Sequence, residues 1–214
     1  MVLALSPTVG AVASLAGGYL LGSIPFGVIA SRLGGAGDIR SIGSGNIGAT
    51  NVLRTGRRDL AAITLLGDAG KGAVAVLLAW RFLGPTAAVL AGGAAFMGHL
   101  FSVWLKFQGG KAVATFFGVM LAMAWPAGLA AGAVWVVMAA AFRLSSLASL
   151  TAAALAPVLV FTLDPGAEGH SERILLAVFM AVLIFLRHRQ NIGRLLRSEE
   201  PRLGARKTRE STVP

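Results

Sequence analysis

The chain has 214 residues, of which 56% are hydrophobic and only 13% charged, where a soluble domain carries about a quarter charged residues. That balance excludes an ordinary soluble enzyme and predicts an all-α integral membrane protein. A net charge of +10 carried in short segments between apolar runs points to anionic headgroups or substrates and away from nucleic acid, while the absence of cysteine excludes disulfides, thiolate metal sites and a cysteine nucleophile.

The first apolar run, about residues 9–33, suits a tilted membrane span. No basic segment precedes it and Arg32 follows without a convincing cleavage motif, so the run is expected to be retained. Gly17, Gly18 and Gly22 allow close helix contacts, and Pro25 predicts a kink. A polar, glycine-punctuated segment, 38–54, comes next. Span two, about 60–80, contains Asp68 and Lys71, three apart and therefore on one helix face. An intramembrane charge costs about 2.5 to 3.5 kcal/mol, so this pair is expected to face protein.

Span three, about 85–105, brings His99 near its end as a packed residue, followed by Lys106 and Gln108. After Gly109-Gly110-Lys111 an uncharged run reaches Phe142, too long for one crossing of a core roughly 30 Å thick. Pro126 divides it into spans four and five. Span six covers about 147–163, a turn with Asp164, Pro165 and Gly166 follows, and span seven covers about 173–186. Residues 1–197 read as one domain, and 198–214 as a disordered cytoplasmic tail.

Seven transmembrane helices place the loops after spans one, three, five and seven on one side, with 16 of the 19 lysines and arginines. Basic loops collect in the cytoplasm, so the N-terminus is expected to be extracytoplasmic and the C-terminus cytoplasmic. The same side receives Ser44, Asn46, Thr50 and Arg54, then Lys111, then Ser149, then His188 and Asn191.

Gly43-Ser44-Gly45-Asn46-Ile47-Gly48 has the spacing of a dinucleotide fingerprint, but the strand and βαβ unit it requires are missing, and no Walker loop is present. The shared physics survives: glycines such as Gly43 and Gly45 let backbone N–H groups approach an anion, and Arg54 can grip a phosphate bidentately. A plain capped turn would use the same residues. Gly109 and Gly110 repeat the device, with Lys111 where a cation opposes the helix dipole unless an anion is bound. His188 and Asn191 share a helix face. Taken alone, His188 fits a headgroup-facing flank as well as a base, and Ser149 fits a hydroxyl bonded to its own backbone.

Together these segments carry a resemblance. Gly22-Ser23-Ile24-Pro25-Phe26-Gly27, then 38–52 with Arg54 beyond, Asp68 with Lys71-Gly72, Gly98-His99 leading to Gly109-Gly110-Lys111 and Val113-Ala114-Thr115, Ser146-Leu147-Ala148-Ser149, and Arg187-His188-Arg189 with Asn191 closely resemble the bacterial acyl-phosphate:glycerol-3-phosphate acyltransferases, the PlsY family. The resemblance covers nearly the whole chain to about Leu196. It implies a seven-span inner-membrane enzyme with a cytoplasmic site, moving a fatty acyl group from acyl phosphate to the 1-hydroxyl of glycerol 3-phosphate without a cofactor or metal. Lysophosphatidic acid and inorganic phosphate are the products, and an upstream enzyme forming acyl phosphate is an implied partner.

By the same resemblance Ser44, Arg54, Lys111, His188 and Asn191 form the catalytic set, and Gly43, Gly45, Asn46, Thr50, Gly109, Gly110 and Ser149 the substrate-binding set. Gln190 stands where a glutamate is usual, and Ser102, Gln108 and Ala112 replace the usual proline, lysine and glycine. Two rivals are an anion or phosphate transporter, which predicts mid-membrane polar groups and related halves, and an acyl-CoA enzyme, whose motif of histidine, four residues and aspartate is missing.

Overall fold

The computed structural model describes residues 6–204. Among them there is no strand; ten α-helices and three 3-10 turns make up the fold. Helix α1 (Pro7–Ser23) starts with Ser6 as its cap, whose hydroxyl accepts the Val9 N–H at 3.3 Å, and with Pro7 where a missing N–H costs nothing. The expected kink is a full break. Pro25 has no N–H to continue the ladder, Ile24 leaves helical geometry ahead of it, and α2 (Phe26–Leu33) begins afresh.

The segment 34–57 contains the short α3 (Ala49–Val52) and two 3-10 turns, and it covers a small core of Val28, Ile39, Ile47, Val52, Leu60 and Ala61. Helices α4 (Arg58–Leu83) and α5 (Pro85–Leu100) form an antiparallel pair joined at Gly84. Helix α6 (Val113–Met123) has 11 residues and is about 16 Å long, well short of a bilayer core. Ala124 turns the chain directly into α7 (Trp125–Phe142), so Pro126 falls in that helix's first turn and starts it. Helices α8 (Ser145–Leu163) and α9 (His170–Arg187) follow, then α10 (Arg189–Leu196).

Five helical segments among the described residues are long and apolar enough to cross a membrane: 7–33, 58–83, 85–105, 125–142 and 145–163. Helix α6 falls short by length, and α9 carries Glu172, Arg173 and Arg187 at its ends. Large apolar side chains such as Leu66, Val137, Phe161 and Leu175 stay exposed on the outer faces, as suits lipid. The main core lies where α4, α5, α6 and α9 meet around Val76, Phe96, Leu100, Phe116, Met180 and Ile184.

Helices α1 and α5 touch backbone to backbone. A methyl at Gly18 would meet the main chain of Ala91, and one at Gly22 would overlap that of Ala95. Apolar side chains gain little by leaving lipid, so close packing of this kind holds the pair together. Gly22→Ala must push the helices apart and is expected to cost about 1 to 3 kcal/mol. The measurement is the melting temperature in detergent; an unchanged value would mean that this contact does not hold α1 in place.

Asp68 and Lys71 face protein as expected. Both are buried, with Nζ 2.8 Å from the Asp68 carboxylate, 2.8 Å from the Ile24 carbonyl freed at the α1/α2 break and 2.8 Å from His99 Nδ1. At the opposite end of the bundle Arg173 pairs with Asp164 at 2.6 Å and lies 4.9 Å over the Trp80 ring, tying α4, α8 and α9 together. Alternation of the helices brings the polar loops to the other end. There residues 198–204, expected as the start of a disordered tail, turn back onto the α7/α8 junction, where Leu203 N donates to the Arg143 carbonyl at 2.6 Å and Arg143 donates to the Leu203 carbonyl at 3.0 Å. The rest of the expected tail, 205–214, lies outside the described residues.

Candidate active site

Asn51 organises the first loop. Its side chain is buried; Nδ2 lies within hydrogen-bond distance of the carbonyls of Ile39 (3.1 Å), Ile42 (2.9 Å) and Asn46 (2.8 Å), while Oδ1 accepts the Ser44 N–H at 3.0 Å and the Ser44 hydroxyl at 3.2 Å. Gly43 sits in the left-handed region at φ +59°, and a side chain there would strike Asn51 Oδ1 and the Arg54 stem. Asn46 accepts the Gly48 N–H at 3.0 Å and so serves the turn itself. The loop therefore leaves Ser44, Gly45, Thr50 and Arg54 exposed on one rim. Thr50 lies 3.4 Å, hydroxyl to hydroxyl, from Ser145 at the start of α8. Arg54 makes no hydrogen bond or ion pair with the described residues.

The second loop is pinned from both sides. Gly109 and Gly110 donate to the carbonyls of Leu100 and His99, at 3.1 and 3.0 Å. From α9, Arg187 donates to the Gly109 carbonyl at 2.9 Å and to that of Gly110 at 3.0 and 3.1 Å, with its guanidinium 5.6 Å over the Phe101 ring. Ala112 takes φ +59°, a position that favours the glycine it replaces, and starts α6 with no side-chain cap. The first turn of α6 thus follows Lys111 directly in the chain.

Lys111 Nζ donates to Asn191 Oδ1. Burial pulls its pKa down to about 8, and the neighbouring charges of Arg194, Arg54 and Arg187 act in the same direction against Glu200.

The third element is the α9/α10 junction. His188 is buried, and its Nδ1 lies 2.8 Å from the Ile184 carbonyl. A carbonyl only accepts, so Nδ1 carries the proton and Nε2 is the free lone pair. Burial and the Lys111 charge push this imidazole down to about 4, which keeps it neutral at physiological pH. Asn191 Nδ2 donates to Glu200 Oε1 at 2.5 Å, and Arg194 Nε donates to Glu200 Oε2 at 2.7 Å. Burial pushes the Glu200 carboxyl up, but these hydrogen bonds outweigh it and hold the group below the usual carboxylate range.

Arg54, Lys111, His188 and Asn191 thus come together, with Ser44 and Thr50 on the exposed rim of the first loop. Ser149 stands apart in role: its hydroxyl donates to the Ser145 carbonyl at 2.8 Å and accepts the Trp135 indole N–H at 3.0 Å. Sequence reasoning passed over the roles of Asn51, Arg187, Arg194 and Glu200. For Glu200 the only local signal is an acidic pair, Glu199-Glu200, inside a basic flank. Among the described residues no three histidine, aspartate or glutamate side chains converge as metal ligands. The N–H groups of Ser44, Gly45, Gly109 and Gly110, expected to face an anion, are instead taken up inside the loops, so the arrangement is a one-ended, cation-rich site with a neutral histidine, suited to phosphate groups through its side chains.

The model of the glycerol-3-phosphate acyltransferase family matches residues 12–198, a range that holds all three loops. The chain belongs to this family. It is 65% identical to the glycerol-3-phosphate acyltransferase of Caulobacter vibrioides (strain NA1000 / CB15N) over 204 residues, covering 94% of this chain and 91% of that one. It is 56% identical over 201 residues to the enzyme of Maricaulis maris (strain MCS10), with the same coverage. The crystal structure of PlsY (YgiH), an integral membrane glycerol 3-phosphate acyltransferase, in its glycerol 3-phosphate form superposes with a TM-score of 0.83 at 36% identity, over 91% of this chain and 96% of that one. The lysophosphatidic acid form gives 0.81 at 35% identity, over 90% and 94%. The chain is accordingly a multi-pass membrane protein.

Proposed function

We propose that the chain transfers a fatty acyl group from acyl phosphate to the 1-hydroxyl of sn-glycerol 3-phosphate, releasing 1-acyl-sn-glycerol 3-phosphate and inorganic phosphate, the first acylation in phospholipid synthesis. The observation that carries this reading is the convergence of Arg54 and Lys111 from separate loops into one site where Arg54 has no carboxylate partner. Two phosphates, each with roughly −1.5 to −2 charge, need such a field. The glycerol hydroxyl oxygen attacks the acyl carbonyl carbon, the bond from that carbon to the phosphate oxygen breaks, and the phosphate leaves with the electron pair. The donor is a mixed anhydride with a good leaving group, so the protein supplies position and charge and forms no acyl-enzyme.

The hydroxyl proton has two possible destinations. His188, held down to about 4 by burial and the Lys111 charge, is a weaker base than a phosphate dianion, whose second pKa is about 6. A substrate phosphate oxygen therefore takes the proton, while His188 Nε2 accepts a hydrogen bond from the neighbouring 2-hydroxyl and so orients the glycerol. His188→Gln is expected to lower kcat by about tenfold to a hundredfold and to leave the acid limb of the pH profile in place. Disappearance of that limb would make His188 the titrating base.

Lys111 governs the alkaline side. Only its charged form holds phosphate, so above a pH of about 8 in the free protein the KM for the phosphate it holds should rise by up to about tenfold per pH unit. A flat profile to pH 10 would mean that Lys111 is not the phosphate cation.

In the same proposal the chain crosses the cell inner membrane seven times, with the 11-residue α6 as a short fourth crossing beside α1–α2, α4, α5, α7, α8 and α9, residues 1–197 as one domain, the N-terminus outside and the site in the cytoplasm. An upstream enzyme making acyl phosphate supplies the donor. A transporter fits less well, because the polar groups gather at one end and the deep lysine, Lys71, has all three donors engaged. The reading is tested with purified protein in lipid, supplied with glycerol 3-phosphate and either palmitoyl phosphate or palmitoyl-CoA. Lysophosphatidic acid is expected from the acyl phosphate; product from palmitoyl-CoA alone would overturn the donor.

A further inference from the structure

The buried group of Asp68, Lys71 and His99 takes no part in the reaction just described. It nevertheless adjoins the Gly109-Gly110-Lys111 loop. An ammonium has three donors, and Lys71 finds three acceptors at 2.8 Å: Asp68 Oδ1, the Ile24 carbonyl and His99 Nδ1. His99 Nδ1 is 3.5 Å from Asp68 and so belongs to the lysine. As Nδ1 accepts, the ring proton is on Nε2.

That Nε2 edge lies against Gly110, where an added methyl would collide with it. The His99 carbonyl accepts the Gly110 N–H at 3.0 Å, so both the ring and the main chain of this residue support the loop. Arg187 holds the loop's carbonyls from the other side. Lys111, the next residue, carries the ammonium of the site.

We propose that His99, held in orientation by the Asp68–Lys71 pair, is a positioning residue that sets the Gly109-Gly110-Lys111 loop for phosphate. This rests on the acyltransfer reading for its kinetic consequence but not for its structural one. The ion pair, costly in a membrane interior unless fully satisfied, fixes an imidazole plane, and the plane fixes the loop. A displacement of about 1 Å at a reacting group costs up to about a hundredfold in rate or affinity.

The test uses two variants in lipid. Asp68→Asn/Lys71→Met removes both charges at similar volume. His99→Asn keeps an acceptor for Lys71 but has no ring edge beneath Gly110, and it stands in if the double variant does not fold. Each should raise the KM for one phosphate substrate about tenfold or more with kcat changed less than about threefold, and should speed amide hydrogen exchange in peptides covering 106–115 about tenfold while α4 and α5 exchange as in the parent. Folded variants with parental exchange in 106–115 and parental KM would overturn the proposal, as would a loss spread evenly over α4, α5 and the loop. If the parent protein forms no lysophosphatidic acid, the acyltransfer reading fails and the exchange data alone decide this one.

Discussion

Arg54→Ala is expected to lose about 10²- to 10³-fold in kcat/KM with the protein still folded and inserted. Arg54 stands exposed at the end of the first loop, its stem packed along Gly43 and its guanidinium near Lys111. No hydrogen bond or ion pair with the described residues would be lost on truncation, so melting temperature and yield should stay at parental values. The five-donor fork of an arginine matches a phosphate bidentately, which a lysine cannot do. Arg54→Lys should therefore recover charge but not geometry and fall between the two. Ample turnover by purified Arg54→Ala would remove Arg54 from the site.

Lys111→Met is expected to cost about a hundredfold or more in kcat/KM, and unlike Arg54 it should also disturb its surroundings. Its ammonium donates to Asn191 Oδ1, and Asn191 in turn donates to Glu200. Removing the cation leaves an acidic Glu200 facing the site with less positive charge opposite it, so phosphate affinity falls for two reasons. Lys111→Arg separates charge from titration: any activity it retains should lack the alkaline limb near pH 8, because a guanidinium stays charged. A Lys111→Met protein with parental kcat/KM would refute the role.

Much of this was legible because local chemistry dictates it. Pro85 and Pro126 mark helix starts through the missing N–H, as the structure has them, while Pro25, expected as a kink, breaks its helix outright. Helix counting leads one to expect the two glycine loops and the flank after span seven at one end, and Arg54, Lys111 and Asn191 from these three segments do meet. Asp68 and Lys71 could be turned inward by the cost of charge in lipid. A short α6 was legible as well, since Pro126 splits the uncharged run before Phe142 into two short helices; its exact end, where backbone geometry fails at Ala124, was not.

Side-chain partnerships across loops were the least accessible. Asn51 reads as one more polar loop residue, yet it spans the loop because the chain returns to it from Ile39, Ile42 and Asn46. Ser149 fits a hydroxyl bonded to its own backbone, as it is to Ser145, but the indole of Trp135 on the preceding helix is a partner no local pattern shows. Glu200 sits in a charged, flexible-looking flank, and only the turn after α10 brings it back to Asn191 and Arg194. Its carboxylate lies beside Asn191, next to the position where Gln190 replaces the usual glutamate.

In the proposed reaction one site holds both phosphates at once and passes the acyl group directly. The most direct measurement is equilibrium binding of glycerol 3-phosphate to the purified protein saturated with a non-transferable acyl phosphonate, in which a methylene replaces the bridging oxygen of the donor. One glycerol 3-phosphate bound per chain in the presence of the phosphonate, with binding lost in Arg54→Ala, is the predicted result. Mutual exclusion of the two ligands, each displacing the other from a single phosphate position, would contradict it and require an acyl-enzyme instead.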